Sequence, residues 1–286
     1  MPLPEGLQLR AADAADLPRI AELRQKVGWS VHEWALRAVL RPPHARCVVA
    51  VDGSDRVVAI GSGISYGRLG IVGNMIVEAV HRRRGIGAAI LGGVMEFLEG
   101  RGSTRMELHA TSDGRPLYAE HGFEPTGASA MVRVPRALRR PGERLELAEA
   151  GPDTGFELAA YDAPRFGGDR RMLLRDALDD PDRPLIAARR GGEMVGYGWI
   201  RPDGERIGPL VADTPEIAAA IIGEAFGRMP QARELTLNVP SENGMGAERL
   251  VELGAEREVW DGRMARGPDV PRRGDTIYGN VVGALG

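Results

Sequence analysis

The sequence predicts a mixed α/β (α+β) chain of two domains, and three observations support this. The chain has 286 residues, about twice a common domain length, and 43% of them are hydrophobic, enough for two packed cores. Apolar runs typical of strands alternate with segments of helical spacing. The order strand-strand-strand-helix-strand-helix-strand occurs twice. We therefore expect two copies of one fold, residues 1–140 and 145–286, joined by a basic, proline-containing linker at 136–144.

The first half begins with a short strand and two helices. Asp16 is a candidate N-cap of the first helix, and Pro42-Pro43 stops the second. Asp52-Gly53 is a strong turn signal between two hairpin strands. The predicted strands are 7–10, 44–51, 56–66, 69–77, 104–110 and 129–134. The predicted helices are 17–27, 30–40, 85–99 and 115–121.

The second half repeats that order after an opening segment at 145–158. Its predicted helices are 170–178, 215–228 and 247–254, and its predicted strands are 184–188, 194–201, 206–211, 234–239 and 258–264. Asp213 or Thr214 is expected to cap the helix that begins near Pro215. The apolar run 277–282 is expected to dock on the folded chain.

The most informative segment follows the strand end Met75-Ile76-Val77 and leads into a helical pattern. It consists of Arg82, Arg83, Arg84, Gly85, Ile86, Gly87 and Ala88. The first turn of a helix has backbone N–H groups without partners and a dipole that favours an anion. Glycines let a phosphate approach the main chain, and arginines add charge-assisted donors. The segment therefore predicts a pyrophosphate site.

Two better-known phosphate loops do not fit. A P-loop requires a lysine after its second glycine, and the only lysine, Lys26, lies elsewhere. A dinucleotide fingerprint requires a third glycine and a ribose-binding acid, and neither is cleanly present. The glycine-rich run 61–67 precedes no helical pattern, so we interpret it as a strand of small residues.

Arg82-x-x-Gly85-x-Gly87 resembles the acetyl-CoA signature of the GNAT family of N-acetyltransferases. A second block is similar to that family's strand-loop-helix segment and runs from Leu108 through Tyr118 to Gly122-Phe123. This resemblance covers roughly residues 5–137. The whole order resembles a tandem arrangement with a degenerate C-terminal domain, whose recurring segments resemble 166–170, 207–211 and 263–267.

The resemblance implies two GNAT-like folds, each a mostly antiparallel mixed sheet flanked by helices. It implies direct transfer of an acetyl group from acetyl-CoA to an amine in a ternary complex. Only the first copy is expected to bind acetyl-CoA, because Asp213 and Glu216 in the second would repel phosphate. The expected cofactor-binding residues are Met75, Ile76, Val77, Arg82, Arg83, Arg84, Gly85, Ile86, Gly87, Ala88, Thr111 and Tyr118.

The resemblance also assigns chemical roles. The N–H groups of Ile76 and Val77, on a strand expected to splay after a bulge at Gly73, are candidates to polarise the thioester carbonyl. Tyr118 matches the tyrosine that donates a proton to the CoA thiolate; alternatively, a backbone group satisfies its hydroxyl. The general base stays open among four residues. These are Glu33, Glu78, His32 and His109.

The composition of the chain limits which binding partners and which cellular location we expect. A net charge of −3 gives no general case for nucleic acid or an anionic membrane. The single cysteine, Cys47, lies in an apolar run and is expected to be buried, and no cysteine/histidine cluster suggests a metal. The N-terminus lacks a charged-then-apolar leader, so we expect a cytoplasmic protein of bacterial type. A homodimer is left open.

The expected acceptor is the primary amine of a small molecule, because a tandem partner would obstruct a groove for a protein chain. The alternatives are a protein N-terminal or lysine acetyltransferase, and a non-catalytic module that senses acetyl-CoA. The second half could also contribute Asp169, Arg170 or Trp260 to the acceptor cleft.

Overall fold

The computed structural model describes residues 3–138, 142, 144–179, 184–201, 206–281 and 283–286. These residues form two compact units. The first unit contains Met1–Thr126, Arg263–Val270 and Gly283–Gly286, and the second contains Gly127–Gly262 and Pro271–Val282. The helices are α1 Leu17–Lys26, α2 Glu33–Ala38, α3 Ile86–Gly100, α4 Arg115–Glu120, α5 Gly155–Phe166, α6 Arg171–Leu178, α7 Pro215–Arg228 and α8 Gly244–Glu252. The strands are β1 Gln8–Ala11, β2 Ala45–Val51, β3 Val57–Ser65, β4 Leu69–Val77, β5 Arg105–His109, β6 Glu124–Pro135, β7 Glu146–Glu149, β8 Leu185–Arg190, β9 Glu193–Arg201, β10 Arg206–Ala212, β11 Glu234–Val239, β12 Glu256–Arg266 and β13 Ile277–Gly279.

The first unit is built on a sheet in the order β1-β2-β3-β4-β5, followed by the end of β12. All neighbours are antiparallel except β4 and β5. Helix α3 covers one face and buries an apolar stripe at helical spacing. Its buried residues are Ile86, Ile90, Leu91, Val94 and Leu98.

The second unit has the order β6-β11-β10-β9-β8-β7, and β13 also pairs with β10. The β10–β11 pair is parallel, whereas β13 is antiparallel to β10. Helix α7 packs seven buried hydrophobic residues into the core of this unit. Both units are therefore mostly antiparallel mixed sheets flanked by helices, which confirms the predicted fold class.

Each sheet is completed by a strand from the other half of the sequence. Residues Arg263–Arg266 of β12 pair with β5, and β6 pairs with β11 from Ala130 to Pro135. The compact units therefore divide the chain at other residues than 140 and 145. Residues 139–141 and 143 of the expected linker lie outside the described part of the chain.

Several elements differ from their predictions. Helix α5 was not predicted, since Pro164 lies inside it and glycine begins it. Helix α2 is shorter than expected. Asp16 does not cap α1, because its carboxylate accepts hydrogen bonds from Arg10 at 2.7 and 2.9 Å. Thr214 does cap α7, accepting from the backbone N–H of Ile217 at 3.3 Å.

No helix in the described ranges is apolar over a membrane-spanning length.

Candidate active site

Strands β4 and β5 separate partway along their length. Their parallel pairing covers only Leu69–Ile71 against Arg105–Glu107, although β4 continues to Val77. Beyond Ile71, β4 keeps its ladder with β3 alone among the described strands. The predicted splay is therefore confirmed, and on that side backbone groups of Ile76 or Val77 face no partner strand among the described strands.

A bulge lies at the point where the strands separate. Ser62 pairs with Gly73 and Ile60 with Ile76, so β4 has one more residue than β3 between these pairs. Asn74 lies in this bulge and has φ 54°, a left-handed conformation that asparagine tolerates better than most residues. The bulge predicted at Gly73 is confirmed.

The N-terminus of α3 follows this strand end. Gly85 is its N-cap at φ 79°, and no side chain caps the helix. Gly87 lies close to its neighbours, since a Cβ there would be 3.3 Å from Leu117 Cδ2. Arg82 Nε donates to the carbonyl oxygen of Val77 at 3.0 Å, which ties the loop to β4. The first turn therefore presents uncapped N–H groups beside the open end of β4.

The predicted phosphate-binding residues differ in what they can offer. The side chains of Arg82, Arg83 and Arg84 are exposed. Ile86, in contrast, is 1% exposed and belongs to the core, so only its backbone can contact a ligand.

Tyr118 lies on α4, near the loop that follows β5. A Cβ on Gly114 would be 3.1 Å from the Tyr118 ring and 3.4 Å from Thr111 Oγ1, so these residues are adjacent. Burial raises the pKa of the phenol to about 12, which keeps it protonated at neutral pH. Within the described part of the chain its hydroxyl has no hydrogen-bond partner. The hydroxyl is thus available to donate a proton.

Glu78 lies at the end of β4 within a group of cations. Its carboxylate is within 2.8 Å of Arg19, 3.0 Å of Lys26 and 3.1 Å of Arg56. Partial burial raises the pKa of Glu78, but hydrogen bonds from the three cations outweigh it and lower the pKa to about 2. A carboxylate held so firmly in its charged form is a weak base, which argues against Glu78 as the proton acceptor.

The other candidate bases are less constrained. Glu33 begins α2, is 70% exposed at its side chain, and pairs with Arg37 one turn later at 2.5 Å. His32 precedes it and stacks on Trp34 with ring centroids 6.5 Å apart. His109 ends β5, where a Cβ on Gly283 would be 3.9 Å from its Nδ1. The base therefore stays a prediction.

Sequence reasoning missed the C-terminal segment of the first unit. Ala284 packs against Gly73, where a Cβ would lie 2.6 Å from the Ala284 Cα. Tyr66 Oη donates to the carbonyl oxygen of Leu285 at 2.7 Å, and Leu285 is fully buried. The segment therefore lies directly against the bulge. Its four residues give no sequence signal beyond their small, apolar character.

The corresponding opening in the second unit is filled. Strands β10 and β11 pair only at Arg206 and Thr236, and β13 enters beside them. The N–H of Asn280 donates to the carbonyl oxygen of Asn238 on β11 at 2.8 Å. The predicted docking of 277–282 is confirmed for β13, but its position between the strands was not foreseen; Val282 lies outside the described residues.

Asp213 and Arg170 serve the interior of the second unit. Asp213 accepts from Arg165 at 2.6 Å and from Tyr161 Oη at 3.1 Å. Arg170 is 1% exposed and donates to Asp162 at 2.6 Å, so it cannot reach a ligand in the cleft as suggested.

Within the described ranges no cluster of His, Cys, Asp and Glu could hold a metal ion.

Comparison with known proteins agrees with this geometry. Two family models described as "Acetyltransferase (GNAT) domain" match residues 43–125 and 158–279. The chain is a GNAT N-acetyltransferase with two GNAT domains in tandem. It is 27% identical to the uncharacterized N-acetyltransferase YitH of Bacillus subtilis over 77% of this chain and 78% of YitH.

Two solved structures share the fold of this tandem GNAT chain. A putative acetyltransferase from Pyrococcus horikoshii has a TM-score of 0.80 at 22% identity, covering 100% of this chain and 98% of that one. A tandem GNAT protein from the clavulanic acid biosynthesis pathway has a TM-score of 0.63 at 15% identity, covering 92% and 99%.

Proposed function

We propose that the first unit transfers an acetyl group from acetyl-CoA to the primary amine of a small molecule. The observation that carries this proposal is the open end of β4 beside the uncapped N-terminus of α3, together with a Tyr118 hydroxyl that has no hydrogen-bond partner among the described residues. Pyrophosphate binds the α3 N–H groups and the exposed arginines. The pantetheine arm pairs with β4, and an N–H of Ile76 or Val77 polarises the thioester carbonyl.

In this mechanism the amine attacks the thioester directly within the ternary complex. The tetrahedral oxyanion is stabilised by the β4 N–H group, and Tyr118 donates a proton to the departing thiolate. The raised pKa of Tyr118 suits an acid that must stay protonated. A small acceptor is favoured because Ala284 covers the strand surface at Gly73, next to the bulge.

The second unit is proposed to bind no acetyl-CoA. β13 occupies the gap between β10 and β11, Thr214 caps α7, and Glu216 lies in its first turn. Each feature supports the same conclusion, since the backbone groups are already paired and a carboxylate repels phosphate.

The test is native mass spectrometry of the full chain titrated with acetyl-CoA. We expect one bound molecule, and none in Gly87→Trp, whose side chain would fill the space beside Leu117. Gly92→Ala, on the same helix with open space around it, is the matched control and should bind normally. Two bound molecules would contradict an inactive second unit, and none would contradict the proposal as a whole.

Tyr118→Phe separates an enzyme from a sensing module. We expect amine-dependent CoA release to fall by roughly 10²- to 10⁴-fold while acetyl-CoA binding stays unchanged. A module that only senses acetyl-CoA would release no CoA in either form of the protein.

A further inference from the structure

We infer that Arg24 binds a carboxylate of the acceptor, so that the substrate is an amino acid or a similar small amino carboxylate. This rests on the proposed function, because it names the class of amine that enters the same site.

Arg24 is fixed beside the β4 bulge by three contacts. Its Nη1 donates to Asn74 Oδ1, and its Nε and Nη2 donate to the carbonyl oxygen of Ser30 at 3.0 and 2.7 Å. Its guanidinium carbon also lies 5.5 Å from the centre of the Trp29 ring. The side chain is therefore already held in one orientation, which lowers the entropic cost of binding a ligand.

The contact with Asn74 places Arg24 on the face of the sheet away from α3. Asn74 Nδ2 donates to Ser62 Oγ at 2.9 Å. The glycines on either side of Ser62, Gly61 and Gly63, face α3, since a Cβ on either would meet side chains of that helix. Successive residues of a strand point to opposite faces, so Ser62 and Asn74 face away from the phosphate-binding helix. We place the acceptor on that face, beside the segment that packs Ala284 against Gly73.

The charge of Arg24 has no counterion within the described part of the chain. The neighbouring cations Arg19 and Lys26 share Glu22 and Glu78, but Arg24 contacts only neutral groups. Burial lowers the pKa of Arg24. A partly buried cation without an anion carries a cost, and a bound carboxylate would remove part of that cost.

Several of the buried arginines have a carboxylate partner, whereas buried Arg201 and half-buried Arg136 donate to backbone carbonyl oxygens. Arg170 pairs with Asp162 at 2.6 Å, Arg263 with Glu107 at 2.7 Å, and Arg165 with Asp213 at 2.6 Å. Arg24 uses three of the five N–H groups that a guanidinium carries. Two therefore remain, the number that a carboxylate can accept.

The position also limits the length of the acceptor. Asn74 and Ile76 are two residues apart, so their Cα atoms are separated by at most about 7 Å. The residue that holds Arg24 and a proposed thioester-binding residue are thus neighbours on one strand, which suits a short acceptor. Amino acids meet that requirement.

The test compares the common α-amino acids with their carboxamides as acceptors for the full chain. We expect kcat/KM to favour the carboxylate form by roughly 10- to 100-fold, the range for a hydrogen-bonded charged group. Arg24→Gln should bring that ratio close to one, mainly through KM. Arg68→Gln removes an exposed arginine of the same unit and should leave the ratio unchanged.

A second readout needs no turnover. Calorimetric titration with each of the common α-amino acids should detect binding of at least one, and that binding should be lost in its carboxamide and in Arg24→Gln. If that pattern holds while no CoA is released, the carboxylate site stands and the proposed transfer fails. The inference is overturned if carboxylate and carboxamide behave alike in both measurements, or if Arg24→Gln weakens the binding of both compounds equally. Arg24 would then have only a structural role.

Discussion

Charge at single residues distinguishes structural anions from reactive groups in the first unit. Glu78 has the strand-end position expected of a base, yet three cations hold its proton affinity low. Tyr118 has the opposite environment, because burial keeps its phenol protonated and no described residue is a hydrogen-bond partner of its hydroxyl. Arg24 contacts neutral groups and has no anionic partner among the described residues. The same helix, α1, thus supplies both a satisfied ion-pair network and an unmatched charge.

Glu78→Gln is expected to lower stability rather than activity. The pKa of Glu78 is depressed from its usual value of 4.5 to about 2 in the folded chain, so its contribution is present above about pH 4.5 and is lost as pH falls towards 2. The variant should therefore be less stable at pH 7, by roughly 1–2 kcal/mol, and nearly equal to the parent near pH 2. Urea denaturation at both pH values measures this.

Glu22→Gln is the matched control, since Glu22 is half exposed and pairs with the same two cations, Arg19 and Lys26. We expect little change from it. A large fall in kcat for Glu78→Gln at unchanged stability would instead restore Glu78 as the general base.

Among elements, β4 has the most functions. Its first residues join β5, its bulge turns Asn74 towards Arg24, and its end opens towards α3. The bulge also fits the C-terminal segment, which packs on Gly73 so closely that no side chain can stand there. One irregularity in one strand thus positions both the thioester end and the acceptor end of the proposed site.

Gly73→Ala should displace that segment. The new Cβ would lie 2.6 Å from the Ala284 Cα, a contact that backbone movement alone can relieve. We expect a loss of about 1–3 kcal/mol and faster proteolysis of residues 283–286, measured by thermal unfolding and mass spectrometry. Gly92→Ala, exposed on α3, should instead stabilise by about 0.5–1 kcal/mol. Equal effects of the two alanines would contradict the packing argument.

At the scale of the whole molecule, each unit contains strands distant in sequence. The end of β12 is fixed in the first unit by Arg263, which pairs with the buried Glu107 at 2.7 Å. Arg105 also contacts Glu107, at 3.1 Å. Removing the returning strand would leave β5 with an open edge and Glu107 with an incomplete set of partners.

A fragment of residues 1–140 is therefore expected not to fold independently. It lacks Arg263–Val270 and Gly283–Gly286, both parts of the first unit. Circular dichroism should show no cooperative thermal unfolding for the fragment under conditions where the full chain unfolds cooperatively. A fragment with a sharp transition would mean that the returning strand is dispensable.

The sequence by itself determined the fold class, most elements, the splayed strand, the bulge and the family. These features follow from short segments, because glycines, capping residues and apolar spacing act on backbone nearby in the chain. The tertiary structure decided the exchange of strands, the filling of the second cleft by β13, and the environments of Glu78 and Arg24. Arg24 and Asn74 are 50 residues apart, and no local pattern specifies which side chains meet over such a distance. The charge balance at a site depends on these long-range contacts. Only the folded chain could therefore show that Glu78 is a weak base and that Arg24 has no anionic partner among the described residues.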